Sequence, residues 1–543
     1  MGHRAPLLWL ALPFLGGLAV GRMGAAVPLA MGLAVSMAAS AAALLATWLA
    51  PRLWGPALTG SMLLAGNAAY GIATCIPLDW NDMPEREARL ILRLDRVNPG
   101  AETTRKVTGT ATIVRAAGRL DELVGQRIYF SAHLRRTEAP PVASSVISAA
   151  GLLGRVPLAP PPDSFEGYLS GLGVNFRLAR ARFGGQQVPP SAYRLFCERL
   201  AARMNGLLGE GIERKPAIVA VYRAMMLGRR RGLSEEQDQL FLRGGSMHLF
   251  AINGLHIGVV ALSMNALLGL IRSPRPLSAA LVMVVLWLDV DSTGASPSAV
   301  RAFLMVAVME SAWALRLPGN PLAALAASAL VVSLVQPMDL FSASFQMSYA
   351  VVAGIITLGI PLGVRLRDRL MEKCNLVPVG AWRLRDRARS SLARHAMPAL
   401  GVGAAAAIVG AASGVEFFGL FSPVGIAVNL LLAPLASLVI VAGFSSIVAG
   451  LAGGIFATRL LNSAAGVLLV SIDGILRLAT AAPWAWFPAH YRAGWIGPVA
   501  LVLVVSSCLF GYGTRWRADR GGYWPPFAIA ALILILGVRF GLP

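Results

Sequence analysis

Cysteine, histidine, lysine and acidic residues are all scarce in this sequence. Of its 543 residues, 4 are cysteine, 6 are histidine and 27 are aspartate or glutamate. The cysteines are far apart, none belongs to a CxxC pair, and no histidine lies at zinc-ligand spacing from them. Most of them fall within or beside apolar segments, where cysteine usually acts as a small hydrophobe. Cysteine and zinc chemistry are therefore not expected to be central to its function.

Charge of either sign is also scarce. Charged residues make up 14% of the chain, hydrophobic residues make up 56%, and the mean hydropathy is +0.64. Soluble domains contain about 25% charged residues, so most of this chain must face something other than water. A bilayer-spanning helix takes roughly 20 apolar residues, and we count about eleven or twelve such stretches, some of them short or broken. These features predict a polytopic α-helical membrane protein with some broken or re-entrant spans.

The start of the chain resembles a secretory signal, but two more apolar stretches follow it directly. The three stretches cover residues 6–20, 26–50 and 54–78. A membrane-embedded start is therefore favoured over a cleaved leader. We assign residues 1–77 to N-terminal transmembrane helices.

The formal net charge is +21, and lysine occurs only at Lys106, Lys215 and Lys373, so nearly all of the positive charge is arginine. Two interpretations stay open. Membrane proteins collect arginine in cytoplasmic loops, whereas a basic channel attracts a polyanion such as a phosphate backbone.

The composition of the sequence changes between residues 78 and 188, where charged residues become frequent. Strand-like runs at 89–94, 107–114 and 126–134 are separated by turn residues. They predict a small β-rich domain compatible with an OB-type barrel. Such a barrel could bind single strands through exposed aromatic rings, but Tyr129 and Phe130 are equally suited to a core. A structural or gating role is favoured over direct binding.

Residues 189–245 are predicted to form an amphipathic helical segment. Ser234 and Gln237 have the spacing of a capping box at the start of one helix. Three arginines in the turn at 228–232 suit a lipid headgroup surface better than a phosphate contact.

From residue 246 to 543 the chain is mostly apolar, and we assign this region to a transmembrane channel domain. Its loop at 365–395 carries nine basic and three acidic residues, which places that loop in the cytoplasm by the positive-inside rule. Counting spans from there puts Arg272, Arg275 and Arg316 on the same side and the β-rich domain outside. The predicted spans are 246–271, 277–290, 294–315, 320–337, 341–363, 397–414, 421–450, 455–480, 496–512 and 524–540.

Polar side chains within these spans are costly in lipid, so they mark pathways or packing contacts. His248, Asn253 and His256 interrupt one apolar run, and Gly254 weakens its helix. They are interpreted either as hydrogen-bonded packing residues or as a re-entrant element lining a wet cavity. A zinc site is not expected there, because no third ligand lies nearby in the sequence.

Arg301 lies about one turn inside a helix that Ser296 and Pro297 are predicted to start. Its side chain could extend to the membrane surface or present a bidentate cation to phosphate. Gln346 and Ser348 belong to a polar cluster beside another span, and Asn429 lies in a segment broken by proline. These three are candidates for either interhelical hydrogen bonds or a channel lining.

Together and in this order, these motifs resemble those of the ComEC family of competence proteins. The β-rich domain, ending in the stretch 165–174, resembles that family's OB-like N-terminal domain. Asn253 and Ser344 stand where the family usually has serine and glycine, and both changes keep or add polarity. The matching stretches are 222–258, 294–305, 320–348 and 421–434.

The resemblance implies an inner-membrane channel for single-stranded DNA, with Arg301 offsetting phosphate charge and Gln346, Ser348 and Asn429 as hydrogen-bond donors. His248, Asn253 and His256 are expected to shape a re-entrant element instead. The implied partners are a periplasmic DNA receptor, a cytoplasmic helicase-like motor and membrane lipids. The alternative is a transporter of another anionic polymer or solute on the same fold, and an enzyme using His248 or His256 as a base ranks third.

Many members of the family carry a metallo-β-lactamase-like nuclease after the membrane domain, and no such metal motif occurs here. Beyond residue 300 the histidines are His395 and His490, without suitable neighbours. A nucleotide-binding loop is also missing from the sequence. We therefore expect a short form that is not an enzyme, needs no cofactor or metal, and relies on a separate nuclease and motor.

Overall fold

The chain folds into a small β-barrel followed by a large helical region, as seen in a computed structural model. The structure describes residues 7–24, 34–42, 54–74, 84–99, 105–116, 118–134, 140–157, 164–228, 232–250, 254–372, 383–517 and 521–541. Asn253, most of the basic turn at 228–232 and the middle of the 365–395 loop lie outside these ranges.

Five strands form a closed barrel in the order β1-β2-β3-β5-β4, in which β1 also pairs with β4. All pairings are antiparallel except that of β3 with β5. Side chains alternate between a buried apolar interior and an outer face, and Leu92, Phe130 and Phe176 are fully buried. The strands are β1 (Arg86–Pro99), β2 (Lys106–Ala116), β3 (Arg127–His133), β4 (Val146–Arg155) and β5 (Phe176–Val188).

The first three strands overlap the predicted runs, although β1 is much longer than its run, and β4 and β5 were not predicted. The middle of β4 consists of small residues, from Ser148 to Gly151, which have weak strand propensity. In β5 arginines alternate with apolar residues and two glycines follow. Neither segment resembles an isolated strand, and their pairing with each other and with the barrel keeps them extended.

Most of the helical region follows the barrel, and three helices precede the barrel, of which the first and the third pack against each other. The helices are α1 (Leu8–Arg22), α2 (34–42), α3 (Trp54–Thr74), α4 (Phe165–Gly171), α5 (Ala192–Leu207), α6 (Pro216–Leu227), α7 (Glu235–Arg243), α8 (Gly254–Leu270), α9 (Arg275–Ser292), α10 (Pro297–Ala314), α11 (Pro321–Val335), α12 (Ala343–Gly354), α13 (Ile360–Glu372), α14 (Leu384–Phe418), α15 (Val424–Leu451), α16 (Ile455–Thr480), α17 (Ile496–Gly513) and α18 (Trp524–Gly537).

Within the described ranges, five helices are long and apolar enough to cross a membrane, namely Ala343–Glu372, Leu384–Phe418, Ala427–Leu451, Ile455–Thr480 and Ile496–Gly513. Shorter apolar helices include α1, α8, α11 and α18. Each predicted span after residue 246 overlaps one of these helices or α9 and α10. The architecture is that of a multi-pass membrane protein with a small β-barrel.

The main core lies between α6, α8, α9, α15 and α16. The sequence predicted α6 as part of an amphipathic segment, but this helix is buried on most sides, with Tyr222 and Ala224 fully inside. Its C-terminal end packs so closely on α15 that a side chain at Gly443 would collide with Met226. By contrast, the capping box predicted at Ser234 and Gln237 is present at the start of α7.

One π-helical turn, Ile355–Gly359, joins α12 to α13 within a single long helix. The indole Nε1 of Trp516 donates a 3.0 Å hydrogen bond to the carbonyl of Thr357 in this turn. A π turn inserts one residue into a helix and changes the direction in which later side chains point. Before this turn, α12 contacts α10, α11 and α17 as well as α14, and after it α13 packs along α14.

A small three-stranded sheet, which the sequence did not predict, joins the ends of several helices. β7 (Phe487–Tyr491) pairs with both β6 (Leu420–Phe421) and β8 (Val538–Phe540). Strands this short carry almost no sequence pattern, because their stability comes from the helices they connect. The sheet ties the end of α14 to the end of α18.

Candidate functional site

The turn between α9 and α10 begins the candidate site. Gly294 and Ala295 both have positive φ, of 96° and 47°, which turns the chain sharply before α10. Ser296 then caps the helix by accepting a 3.3 Å hydrogen bond from the Ala299 amide, and Pro297 occupies the first helical turn. The predicted helix start is therefore present, and it fixes where Arg301 enters the protein.

Arg301 is 1% exposed and is the largest fully buried side chain of the structure. Its Nη2 donates to the Ser344 carbonyl at 2.7 Å and to the Ser344 hydroxyl at 2.8 Å. The guanidinium also lies 5.9 Å from the Phe345 ring and 5.8 Å from the Tyr349 ring. Arg301 does not extend to the membrane surface, since it is held inside the protein by α12.

The guanidinium retains unused donors. Its Nε and Nη1 are buried and form no hydrogen bond with any residue that the structure describes. No carboxylate among those residues lies within 4 Å of it, although Asp339 is near enough to act on its charge. A buried cation with open N–H groups is costly, and an anion or water would satisfy them.

The corner before α12 contributes most of the remaining polar atoms. Ser342 caps α12 by accepting from the Phe345 amide at 3.1 Å, and it donates to the Asp339 carbonyl at 2.8 Å. The Gln346 Nε2 donates to the Leu340 carbonyl at 3.2 Å. Gln346 therefore stabilises the Pro337–Phe341 turn, and Ser348 is half-buried one turn beyond Ser344.

The barrel contacts the membrane domain at this corner. The Arg96 Nη2 donates to the Ala295 carbonyl at 2.9 Å, and the Gln336 Nε2 donates to the Leu172 carbonyl at 3.4 Å. Burial lowers the pKa of Arg96, and the nearby charge of Asp339 opposes that shift. We use the name junction for Arg96, the 294–297 turn, Arg301, Asp339 and Ser342–Ser348.

Two aromatic rings on α4 are exposed beside the junction. Phe165 and Tyr168 are 46% and 59% exposed and stack with centroids 6.2 Å apart. Tyr129 packs edge-on against Phe165 at 5.1 Å, whereas Phe130 is fully buried in the barrel. Of the two aromatics considered from the sequence, one is therefore core and one supports a surface pair on another element.

A second polar group lies deeper, between α8, α9 and α10. The His256 Nε2 lies 3.4 Å from the Asp289 Oδ2, and both side chains are buried. The Asn265 Nδ2 donates to the Glu310 Oε1 at 2.7 Å. These contacts link α8 to α9 and to α10 within the core, and they do not involve the Ser344 atoms that hold Arg301.

Asn429 occupies a third place, at the start of α15. Its Nδ2 donates to the Gly245 carbonyl at 3.2 Å, and the Ser422 hydroxyl donates to the Arg243 carbonyl at 2.8 Å. Gly254 is exposed at the start of α8, and His248 lies in a short 3-10 helix, Met247–Phe250. The structure thus separates the predicted residues into three groups.

The sequence analysis did not identify several polar residues that lie near these groups. Asp289 and Asp291 end a strongly apolar helix, and their charge in such a run was an available signal. Asp291 accepts from Arg194 at 3.1 Å, which ties α5 to α9. Arg96 gave no signal, because an arginine on an alternating strand is common.

Across the part of the chain that the structure describes, no group of His, Cys, Asp or Glu could hold a metal ion.

The barrel, the long apolar helices and the buried polar groups define a multi-pass membrane protein with a small β-domain. Residues 225–516, more than half of the chain, match the family described as "Competence protein". The chain therefore belongs to the competence protein family, as the ComEC-like motifs predicted.

A curated relative is the ComE operon protein 3 of Bacillus subtilis (strain 168), which is 30% identical over 141 residues. This alignment covers 26% of the present chain and 18% of the relative, so the chain matches less than a fifth of that protein. No solved structure matches the chain.

Proposed function

We propose that this protein is an inner-membrane conduit for single-stranded transforming DNA. Membership in the competence family supports a role in DNA uptake. The observation that carries the more specific proposal is Arg301, a cation buried at the junction with two donors that no described residue uses. A strand entering at the junction would bring phosphate oxygens to a group suited to bind them in a bidentate manner.

The barrel would lie outside the cytoplasm and meet the strand first. Its strand order and its β3–β5 parallel pairing support an OB-type interpretation. The bond from Arg96 to Ala295 couples barrel position to the turn that starts α10, which suits a gate. The exposed Phe165 and Tyr168 rings offer a sequence-tolerant stacking surface at the same place.

The remaining candidate residues have supporting roles in this proposal. Gln346 and Ser348 lie on the same helix as the partner of Arg301, and Asn429 and His256 would hold together helices of the domain that the strand crosses. The proposal assigns no catalytic step to this chain. A separate motor and nuclease, together with a periplasmic receptor that delivers DNA, complete the proposed pathway.

The test is transformation frequency in a naturally competent host with defined chromosomal DNA. Deletion should abolish transformants while DNA still reaches the periplasm, and wild-type complementation should restore them. Arg301→Ala should lower the frequency by roughly tenfold or more at matched protein level, because one buried phosphate partner is lost. Arg199→Ala, at an exposed position on α5, serves as the matched control and should stay near wild type.

Normal transformation in the deletion strain would reject the DNA-conduit proposal for this protein. The alternative, transport of another anionic polymer or solute, would then lead. That alternative also predicts no salt-sensitive binding of single-stranded DNA by the purified protein.

A further inference from the structure

Two neighbouring helices are longer than a membrane is thick. The helix from Ala343 to Glu372 has 30 residues, and α14 has 35. At 1.5 Å per residue they span roughly 45 Å and 52 Å, whereas the hydrocarbon core is about 30 Å thick. The ends of α13 and α14 therefore extend beyond the hydrocarbon core.

The two projecting ends are held together by close packing. A side chain at Gly401 would collide with the backbone of Gly363 and Gly359, so the helices touch through their backbones there. Farther out, Ala393 and Ser390 are still fully buried. We name residues 365–372 and 383–395 the basic hairpin.

The basic hairpin carries many more cations than anions. Its three acidic residues are Asp368, Glu372 and Asp386, and Asp368 is paired with Arg367 at 2.8 Å. Asp386 accepts from the Arg383 amide as part of a helix cap. The arginines of the basic hairpin are Arg365, Arg367, Arg369, Arg383, Arg385, Arg387, Arg389 and Arg394.

Several of these arginines are exposed and form no ion pair with the residues that the structure describes. Arg369, Arg385 and Arg387 form no ion pair within 4 Å with any residue in the described ranges. Guanidinium groups that stay solvated and unneutralised in one place attract polyanions and release counterions when they bind them.

We propose that the basic hairpin binds the phosphate backbone of single-stranded nucleic acid on the side of the membrane opposite the junction. This inference rests on the proposed function and adds a second contact, at the exit of the path. Charge complementarity supports it, and arginine forms bidentate contacts with phosphate.

The distance from the bilayer favours a soluble polyanion over lipid headgroups. Counted along α14 from Phe418, Arg385 and Arg387 lie ~50 Å and ~46 Å away. A bilayer with its headgroups is about 40–45 Å thick. With Phe418 placed at the outer limit of the opposite leaflet, these two side chains lie at or beyond the headgroups, where a strand leaving the membrane domain would be accessible.

The test uses the full chain in nanodiscs of phosphatidylcholine and a fluorescein-labelled oligothymidylate. Binding is followed by anisotropy across a salt series for the parent and for Arg369→Gln/Arg385→Gln/Arg387→Gln. The control removes the same charge from exposed arginines predicted on the same side, Arg272→Gln/Arg275→Gln/Arg316→Gln. Thermal unfolding of each preparation establishes that all of them are folded.

The hairpin variant should bind at least roughly tenfold more weakly at low salt. The slope of log K against log salt should fall in magnitude by about 2, since each single-strand phosphate contact contributes about 0.7. The control variant should keep the parent's slope.

Parent-like affinity and slope in the folded hairpin variant would overturn the inference and leave the proposed function intact. If the parent itself shows no salt-dependent binding, the proposed function and the inference both fail. A third outcome also overturns the inference: DNA binding is unchanged, but phosphatidylglycerol stabilises the parent and not the variant, which assigns these cations to lipid.

Discussion

The arginines of the junction and of the basic hairpin belong to the same residue type but lie in opposite environments. At the junction, Arg301 is 1% exposed and Arg96 is hydrogen-bonded to a carbonyl of the turn before α10. In the basic hairpin, Arg385 and Arg387 are exposed. Burial of a guanidinium carries a high desolvation cost and fixes the local geometry. An exposed guanidinium carries little desolvation cost and can still bind a ligand from solution.

The comparison shows that a count of arginines does not locate a polyanion path. A net charge of +21 includes cations that are used by the fold and cations that are not. Burial and partners separate the two kinds, and each kind responds differently to mutation.

The largest loss of stability should come from disrupting the contact between α13 and α14, which holds the basic hairpin together. Gly401→Val places a side chain into the backbone of Gly363, so α13 and α14 must separate. We expect a loss of at least ~3 kcal/mol in the free energy of unfolding, measured by denaturant titration in detergent. Gly403→Val is the control, because its added side chain would meet open space. Equal stability of the two variants would mean that this helix contact is not tight.

Arg301 should give the next largest effect. Arg301→Ala removes a buried group and leaves the Ser344 carbonyl and hydroxyl without their partner, so we expect a loss of about 2–4 kcal/mol. Arg301→Lys keeps the charge but not the planar fork, and it should recover stability better than transformation. A variant that regains stability but not transformation would show that the planar guanidinium has a role beyond holding the fold. If Lys restores both fully, a bidentate role for Arg301 is wrong.

The Arg194–Asp291 pair should have an intermediate effect, since its arginine side chain is 25% exposed and its carboxylate 6%. A double-mutant cycle with Arg194→Ala and Asp291→Ala should give a coupling of about 1–2 kcal/mol in unfolding free energy. A coupling near zero would show that α5 is held against α9 by apolar packing instead.

The smallest effect on stability should follow from Arg385→Gln/Arg387→Gln. Both side chains are exposed, so the free energy of unfolding should change by less than about 0.5 kcal/mol. Thermal unfolding in the same detergent checks this. A larger loss would mean that these cations are part of the fold, and the contrast with the junction would disappear.

Much of the helical region could be predicted from the sequence, because long apolar runs and caps are local signals. The caps at Ser234 and Ser296 are present as predicted. The burial of α6 could not be predicted, because it depends on α15 and α16, which are distant in sequence. β4 was missed for the same reason, since only its partners keep its small residues extended.

The candidate site was predictable in its residue types but not in its grouping. The position of Arg301 in an apolar helix marked it, yet its partner Ser344 lies 43 residues away. Asn429 was grouped with Arg301 as a hydrogen-bond donor of the channel, whereas His256 was assigned to a re-entrant element. Their contacts with Asp289 and Gly245 place them in separate parts of the helical domain.

The π turn at Ile355–Gly359 makes the direction of the basic hairpin depend on a single residue. Deleting one residue there would restore ordinary α-helical spacing and rotate everything beyond it by about 100°. Gly363 would turn away from Gly401, and the Thr357 carbonyl would no longer be free for Trp516. Such a deletion would hardly shorten the helix, yet it would aim the arginines of α13 at a different side of the molecule.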